Sequence, residues 1–304
     1  MTPIAADRAA ADTTQLLAGW EQARDRGLNN RAAAAALRVS EAELIASGCG
    51  RFVTRLRPDT VALLRALPML SEIKAVVRNP TAVVERAGTV QGIEITGVSV
   101  ILVKAENFEM VCQATQWKKA FALREKTAAR NKLSIQFFTA AGISAAKFFL
   151  RPAGDVKAFT ELLNGFADSN QSPQEPVEAG SGESGLTVQE LALAPNGALL
   201  AFLQTLAGSQ HALTFVVRNP AACLATSKAI ERVKRSEAGG WVNVLDHDLD
   251  VHLHEDRIRY LRPVPDAVGD AGWLHWFSDQ QAIALSVRCD LGWQALARAA
   301  GVER

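Results

Sequence analysis

Val76-Val77-Arg78-Asn79-Pro80 returns 140 residues later as Val216-Val217-Arg218-Asn219-Pro220. Five consecutive residues rarely recur by chance in a chain of 304, so the pair marks an internal repeat. Other segments keep the same spacing. The alternating run Phe108-Glu109-Met110-Val111-Cys112 is answered by Leu249-Asp250-Val251-His252-Leu253 at an offset of 141, and Ile135-Gln136-Phe137-Phe138-Thr139 by Leu274-His275-Trp276-Phe277-Ser278 at 139. Small changes in the turns account for the drift. Each copy closes on an amphipathic segment, with Phe159, Leu162 and Leu163 in one and Trp293 and Leu296 in the other. The chain reads as two diverged copies of one strand-rich domain, and function is expected between or across them.

Length and composition narrow the class. A chain of 304 residues can bury two ordinary cores. With 33 basic and 32 acidic residues, no overall field points to nucleic acid or a membrane surface. Cys49, Cys112, Cys223 and Cys289 lack the paired spacing of a zinc or thioredoxin-like site and read as free thiols in a reducing compartment. Residues 1–12 carry Asp7 and Asp12 without an apolar stretch, and no apolar run reaches the roughly 18 residues of a membrane helix, so a cytoplasmic protein without membrane insertion is expected.

Periodicity predicts helices over 13–26, 30–37 and from Ser40, where Ser40-Glu41-Ala42-Glu43 has the capping-box pattern, and over 60–67, 155–166 and 198–206. Strands are predicted over 73–77, 82–87, 92–96, 98–104, 108–112, 134–139 and 145–150, then 211–217, 241–245, 249–254, 257–261, 273–277 and 282–288. Strands without intervening long helices favour an antiparallel meander. The fold class expected is α+β, two tandem copies of a mainly antiparallel sheet domain with flanking helices. The copies span 1–167 and 186–304, and Ser, Gln, Pro, Glu and Gly make 168–185 a mobile linker. The basic segment 115–131 reads as a solvated face or loop, with an anion-binding rim as the alternative. The helices of 30–48 resemble a helix-turn-helix, but the last offers Glu41 and Glu43 where a recognition helix needs basic and amide groups, so they read as a cap on the first sheet.

All five histidines (211, 247, 252, 254 and 275) lie in the second copy. Strand alternation puts Asp250, His252, His254 and Asp256 on one face, with the two imidazoles about 7 Å apart. Such a pair could ligate a transition metal or haem iron, or belong to the wet face of a half-buried sheet. No Gly-rich phosphate loop, nucleophile elbow or Glu-x-x-His helix pair is present.

Taken in order, Val39-Ser40-Glu41-Ala42-Glu43-Leu44, Arg78-Asn79, Ser134-Ile135-Gln136-Phe137-Phe138, Gln171-Ser172-Pro173 and Trp241-Val242-Asn243-Val244-Leu245 with His252-Leu253 and Glu255-Asp256 resemble the hemin-degrading factor family of bacterial haem-utilisation proteins. The resemblance runs from about Ala34 to the C-terminal helix. It implies stacked antiparallel sheets in an internally duplicated chain, with haem in a cleft on the second half, received from an importer and passed on or opened oxidatively. It also implies departures. The family's axial histidine precedes the strand at 211–217, yet 186–209 holds no histidine, the haem-facing arginine of the first half falls on Val111, and the C-terminal haem-lining positions fall on or near Leu285, Val287 and Cys289-Asp290. His252, Trp117 and Trp241 match family positions. The expectation is a haem carrier in iron utilisation, with a haem importer or haem-accepting protein as partner, no nucleic acid, and no efficient ring opening. His252 or His254 would ligate iron, with His211 as the third choice, and Lys118, Lys119 or Arg288 would hold the propionates. The alternative is a degenerate member that has lost haem and serves as a structural or protein-interaction module.

Overall fold

The computed structural model describes residues 13–97, 99–126, 131–179, 191–237, 239–266, 272–289 and 293–301. The first repeat runs α1 (Thr13–Asp25), α2 (Asn30–Ala36), α3 (Glu41–Ala46), β1 (Val53–Leu56), α4 (Thr60–Arg65), β2 (Glu72–Arg78), β3 (Ala82–Thr96), β4 (Val100–Ala105), β5 (Glu109–Gln113), β6 (Lys119–Lys126), β7 (Asn131–Phe138), β8 (Ser144–Leu150) and α5 (Val156–Phe166). The second runs β9 (Ala192–Leu193), α6 (Ala198–Leu206), β10 (Leu213–Arg218), β11 (Ala222–Lys228), β12 (Val233–Arg235), β13 (Trp241–Leu245), β14 (Leu249–His254), β15 (Ile258–Pro265), β16 (Gly272–Ser278), β17 (Ile283–Cys289) and α7 (Trp293–Ala299).

The strands form two antiparallel sheets, and each sheet draws on both repeats. The first has the order β1-β6-β7-β8-β2-β3-β14-β13-β12, so its last three strands come from the second repeat. The second has the order β9-β15-β16-β17-β10-β11-β5-β4-β3, and its last three come from the first repeat. One order maps onto the other, with β2 on β10, β5 on β14, β7 on β16 and β8 on β17. The two Val-Val-Arg-Asn-Pro copies therefore end equivalent strands. Strand β3 serves both sheets: residues 83–89 pair with β2, and Val90, then, after a bulge, residues 92–96 pair with β4.

Apolar side chains from the inner faces of both sheets, joined by α4 to α7, form one continuous core. The outer face of the first sheet has a second core, in which Leu16, Leu17 and Trp20 of α1 with Leu44 and Ile45 of α3 cover Phe121, Leu123 and Phe138. Among the described residues no comparable helices precede β9. The basic segment near 119–126 is a strand, because Ala120 and Ala122 face one core while Phe121 and Leu123 face the other, which erases the alternation. Strand β11 was also absent from the sequence expectation. Its Ala-Cys-Leu-Ala-Thr-Ser-Lys composition has little β-propensity, and flanking β10 and β5 impose the conformation. The linker composition is ordered as far as it is described: Gln171 hydrogen-bonds the Arg55 backbone, and Glu175 pairs with Arg55 and Lys119.

Each copy of the motif is used in the same way. Val77 of β2 and Val217 of β10 enter the core, and the proline, which lacks an N–H, ends the strand. The asparagine then holds the turn and the partner repeat together. Asn79 Oδ1 accepts from the backbone N–H groups of Thr81 and Ala82, while its Nδ2 donates to the carbonyls of Ala284 (2.8 Å) and Arg218 (3.2 Å). Asn219 Oδ1 accepts from Ala221 and Ala222, and its Nδ2 donates to Ala145 and Arg78, each at 3.0 Å. Trp117 adds an indole N–H to the Ala221 carbonyl at 2.8 Å. Asn79→Ala would leave buried partners unsatisfied and is expected to cost about 2–4 kcal/mol in chemical denaturation. Asn79→Asp is expected to be no better, since it keeps the acceptor but turns a carboxylate oxygen toward two carbonyls; a native-like midpoint for the aspartate variant would exclude the donor role.

Ion pairs also cross between the repeats. Asp248 forms an ion pair with Arg86 at 2.7 Å and pairs with Lys228, and Asp250 lies 3.4 Å from Lys74, which also pairs with Glu85. Burial alone would raise the Asp248 carboxyl, but Lys228 and Arg86 together hold it below the usual range. Burial likewise opposes ionisation of Glu85, and Lys74, aided by His252 and Lys132, outweighs it. Carboxyls depressed in the folded state stabilise it above their unfolded pKa and lose that contribution as pH falls through the folded one. Denaturation midpoints are expected to fall on acidification below about pH 4, and less steeply in Asp248→Asn.

Candidate functional site

Strand register places Arg78 (β2), Val83 (β3), His252 (β14) and Asn243 (β13) in one row across the first sheet. The next row holds Lys147 (β8), Val76, Glu85 and Asp250. Alternation turns these side chains outward, toward the turn between α1 and α2. Between sheet and turn lies a cleft of about 1170 Å³. Its apolar surface comes from Leu28, Val76, Val83, Phe149 and Trp241, and its charge from six basic residues (24, 31, 78, 126, 132 and 147) against four acidic ones (21, 25, 85 and 125).

His252 Nδ1 lies 2.7 Å from Asn243 Oδ1. The Asn243 amide nitrogen is directed to the Lys234 carbonyl (3.5 Å), which leaves its oxygen to accept the Nδ1 proton. His252 Nε2 therefore keeps its lone pair, the form in which imidazole ligates a metal, with the second nitrogen held as in metal-site histidines. Arg78 stands at the other end of the row with its buried Nε unpartnered. Burial, then the neighbouring Arg31, brings its guanidinium down to about 10, and Glu41 and Glu85 recover only part of that loss. A guanidinium so placed favours an anion beside it. Lys132 lies 4.3 Å above the Phe149 ring, its ammonium lowered first by burial. Lys147 is paired with Glu41 of α3, which ties the helical cover to the sheet. Arg31 reaches the Asn79 carbonyl at 3.2 Å, so the cleft wall adjoins the clasp between repeats.

The residues expected from sequence do not converge. His252 lines the cleft. His254 shares its face but lies against Trp241 at 4.9 Å between ring centroids, with a buried, unpartnered Nδ1. Asp250 is taken up by Lys74, Asp256 sits in the 3-10 turn after β14, and no group of three or more His, Cys, Asp or Glu side chains among the described residues is disposed to hold a metal. His211 precedes β10, outside this cleft. Lys118 is exposed, and Lys119 is bound to Glu175. Arg288, on the second sheet, pairs with Asp266 at 2.8 Å and lies over Trp273. Helix α3 cannot enter a DNA groove, because five of its six residues are buried. Arg78, Lys132 and Asn243 were missed as site residues; the repeated motif displayed Arg78, and only the strand register brings it into line with His252.

The corresponding row of the second sheet is Arg218, Cys223, Val111 and Leu102. Val111 thus occupies the place of His252, and is exposed. Nearby His275 donates to or accepts from Ser286 at 2.8 Å and is stacked with Trp273; burial, then Arg218 and Arg262, hold its pKa down.

Residues 38–166 match the haemin-degrading HemS.ChuX domain. The match lies within the first repeat and takes in α3 to α5 and the strands between them. It is 33% identical over 144 residues to the hemin transport protein HemS of Yersinia enterocolitica, and 34% over 128 residues to the hemin transport protein HmuS of Yersinia pestis. These matches cover 46% and 42% of this chain but 41% and 37% of the relatives, so the chain spans about two-fifths of their length. Its fold is that of holo-PhuS, a heme-binding protein from Pseudomonas aeruginosa (TM-score 0.84, 24% identity, 94% of this chain and 98% of that one). The heme degrading enzyme ChuS of Escherichia coli O157:H7 shares it too (TM-score 0.81, 20% identity, 94% and 99%). The α+β class and the duplication are those expected for HemS/ChuX proteins. No helix among the described residues is long and apolar enough to cross a membrane.

Because Arg78 carries a largely buried charge without an ion-pair partner among the described residues, Arg78→Gln is expected to raise the stability of the ligand-free protein by roughly 1–2 kcal/mol. A thermal midpoint lowered by this change would show that the charge is already compensated.

Proposed function

We propose that the protein binds haem in the cleft beneath the N-terminal helices and acts as an intracellular carrier in haem iron utilisation, taking haem from an importer and releasing it to an acceptor. The observation that carries this reading is the setting of His252, which lines a large cleft with apolar walls and a basic rim while Asn243 holds its Nδ1 and leaves Nε2 to ligate. The donor set fits the group. Haem is an apolar disc with two carboxylate arms and an iron that accepts imidazole nitrogen. Val76, Val83 and Leu28 suit the disc, Arg78 and Lys132 suit the carboxylates, and burial of the ring contributes on the order of 25 cal/mol per Å². The match of residues 38–166 to the haemin-degrading HemS.ChuX domain and the hemin transport role in the names of HemS and HmuS support it.

Haem, when bound, would supply a redox-active iron. Carriage needs only that the chain hold and release it: His252 would hold the iron, Asn243 fixes the imidazole, and Arg78 and Lys132 would hold the carboxylates. Ring opening would also require polar groups steering oxygen at the iron, a demand that carriage does not make. Hemin titration is expected to give a saturable, shifted Soret band, lost or weakened at least tenfold in His252→Ala, retained in His254→Ala, and weakened roughly tenfold in Arg78→Gln. Free-hemin spectra with the native protein at every ratio, or an unaltered His252→Ala titration, would overturn the assignment and leave the degenerate interaction module as the reading.

A further inference from the structure

One contact between the helical roof of the cleft and its sheet wall sets two like charges side by side. Arg31, in the first turn of α2, donates from Nη1 to the Asn79 carbonyl at 3.2 Å, and the residue before Asn79 is Arg78. Both arginines line the cleft, one from the roof and one from the sheet. Their meeting point is firmly held: the Asn79 side chain fastens the turn, and the Arg78 carbonyl accepts from Asn219 Nδ2 at 3.0 Å.

Two guanidiniums so placed repel, and the ligand-free protein offsets this only in part. Burial, then Arg31, disfavours the charge on Arg78, and the two carboxylates that act against them, Glu41 and Glu85, are already paired with Lys147 and Lys74. Arg78 makes no ion pair among the described residues, and its Nε is buried without an acceptor. The fold does not demand this arrangement. In the second repeat the same motif leaves its arginine, Arg218, exposed, and Asn219 makes the same fastening there.

We infer that Arg31 and Arg78 are the two jaws of a clamp that closes on one carboxylate of the ligand and thereby fastens the roof to the sheet. The inference rests on the haem reading of the cleft and adds to it a demand for a free carboxylate and a moving part. A carboxylate between two guanidiniums accepts charge-assisted bonds from both, so their repulsion becomes attraction through a shared anion. Two inter-strand steps, about 10 Å in all, separate Arg78 from His252 along their row, so clamp and imidazole hold different parts of one ligand. On the roof, Gly27 takes a left-handed φ of 78° between α1 and α2, and Leu28 beside it is exposed. That turn settles by rotation at a glycine, with neither helix broken.

The test compares hemin with hemin dimethyl ester, which keeps the iron and the disc and lacks the charged arms. In Soret titrations of the full chain, the native protein is expected to bind hemin at least tenfold more tightly than the ester. Arg31→Gln should weaken hemin roughly tenfold and leave the ester unchanged, and Arg78→Gln should show the same split. Amide hydrogen exchange over residues 26–31 should slow severalfold with hemin and keep its ligand-free rate with the ester. If Arg31 only held the Asn79 carbonyl, its loss would weaken both ligands alike. That result, equal native affinity for hemin and ester, or exchange slowed equally by both would overturn the clamp and leave the haem reading standing. Binding of neither compound would overturn the haem reading and the clamp with it.

Discussion

The structure depends on one interaction made twice, the carboxamide of an asparagine that fastens its own turn with oxygen and the other repeat with nitrogen. Asn79 and Asn219 each need a donor and an acceptor on one short planar group, which only a carboxamide supplies at that reach. This accounts for the motif residue by residue. The second valine is core, the first faces outward with the neighbouring row, proline ends the strand, asparagine is the fastening, and the arginine before it faces the side opposite the core. Divergence elsewhere is tolerated because packing can adjust, whereas a buried carbonyl left without its donor cannot.

Exchange of strands between the repeats decides what a site can contain. On the first sheet, Arg78 and Val83 come from one repeat, His252 and Asn243 from the other, so the sheet wall of the cleft is composite. The same geometry on the second sheet yields Arg218, Cys223, Val111 and Leu102, a row with no imidazole. Helices α1 to α3 add the remaining difference, since they roof the first outer face. One scaffold thus presents two chemically unlike faces.

The repeat, the capping box at Ser40, most strands and the outward face of β14 could be read from the sequence because each is a local pattern. Strand β6 could not, because cores on both sides removed its alternation. Site residues were legible only one strand at a time. His252 showed itself through alternation, but its alignment with Arg78 depends on pairing between strands some 170 residues apart, which no local pattern encodes. Lys118, Lys119 and Arg288 were chosen by charge, yet the partners that occupy Lys119 and Arg288, Glu175 and Asp266, lie far from them in sequence. Residue type was visible; company was not.

Interlocking also constrains synthesis. When the first repeat leaves the ribosome, β5 and the first part of β3 each present an edge whose neighbour, β11 or β14, has yet to be made. The intervening stretch is more than 100 residues, roughly 5–30 s of translation, during which two sheet edges are open to wrong pairing. The nascent chain must be shielded over this interval, and the order of translation, as much as the final contacts, decides whether the repeats find each other or a neighbouring copy.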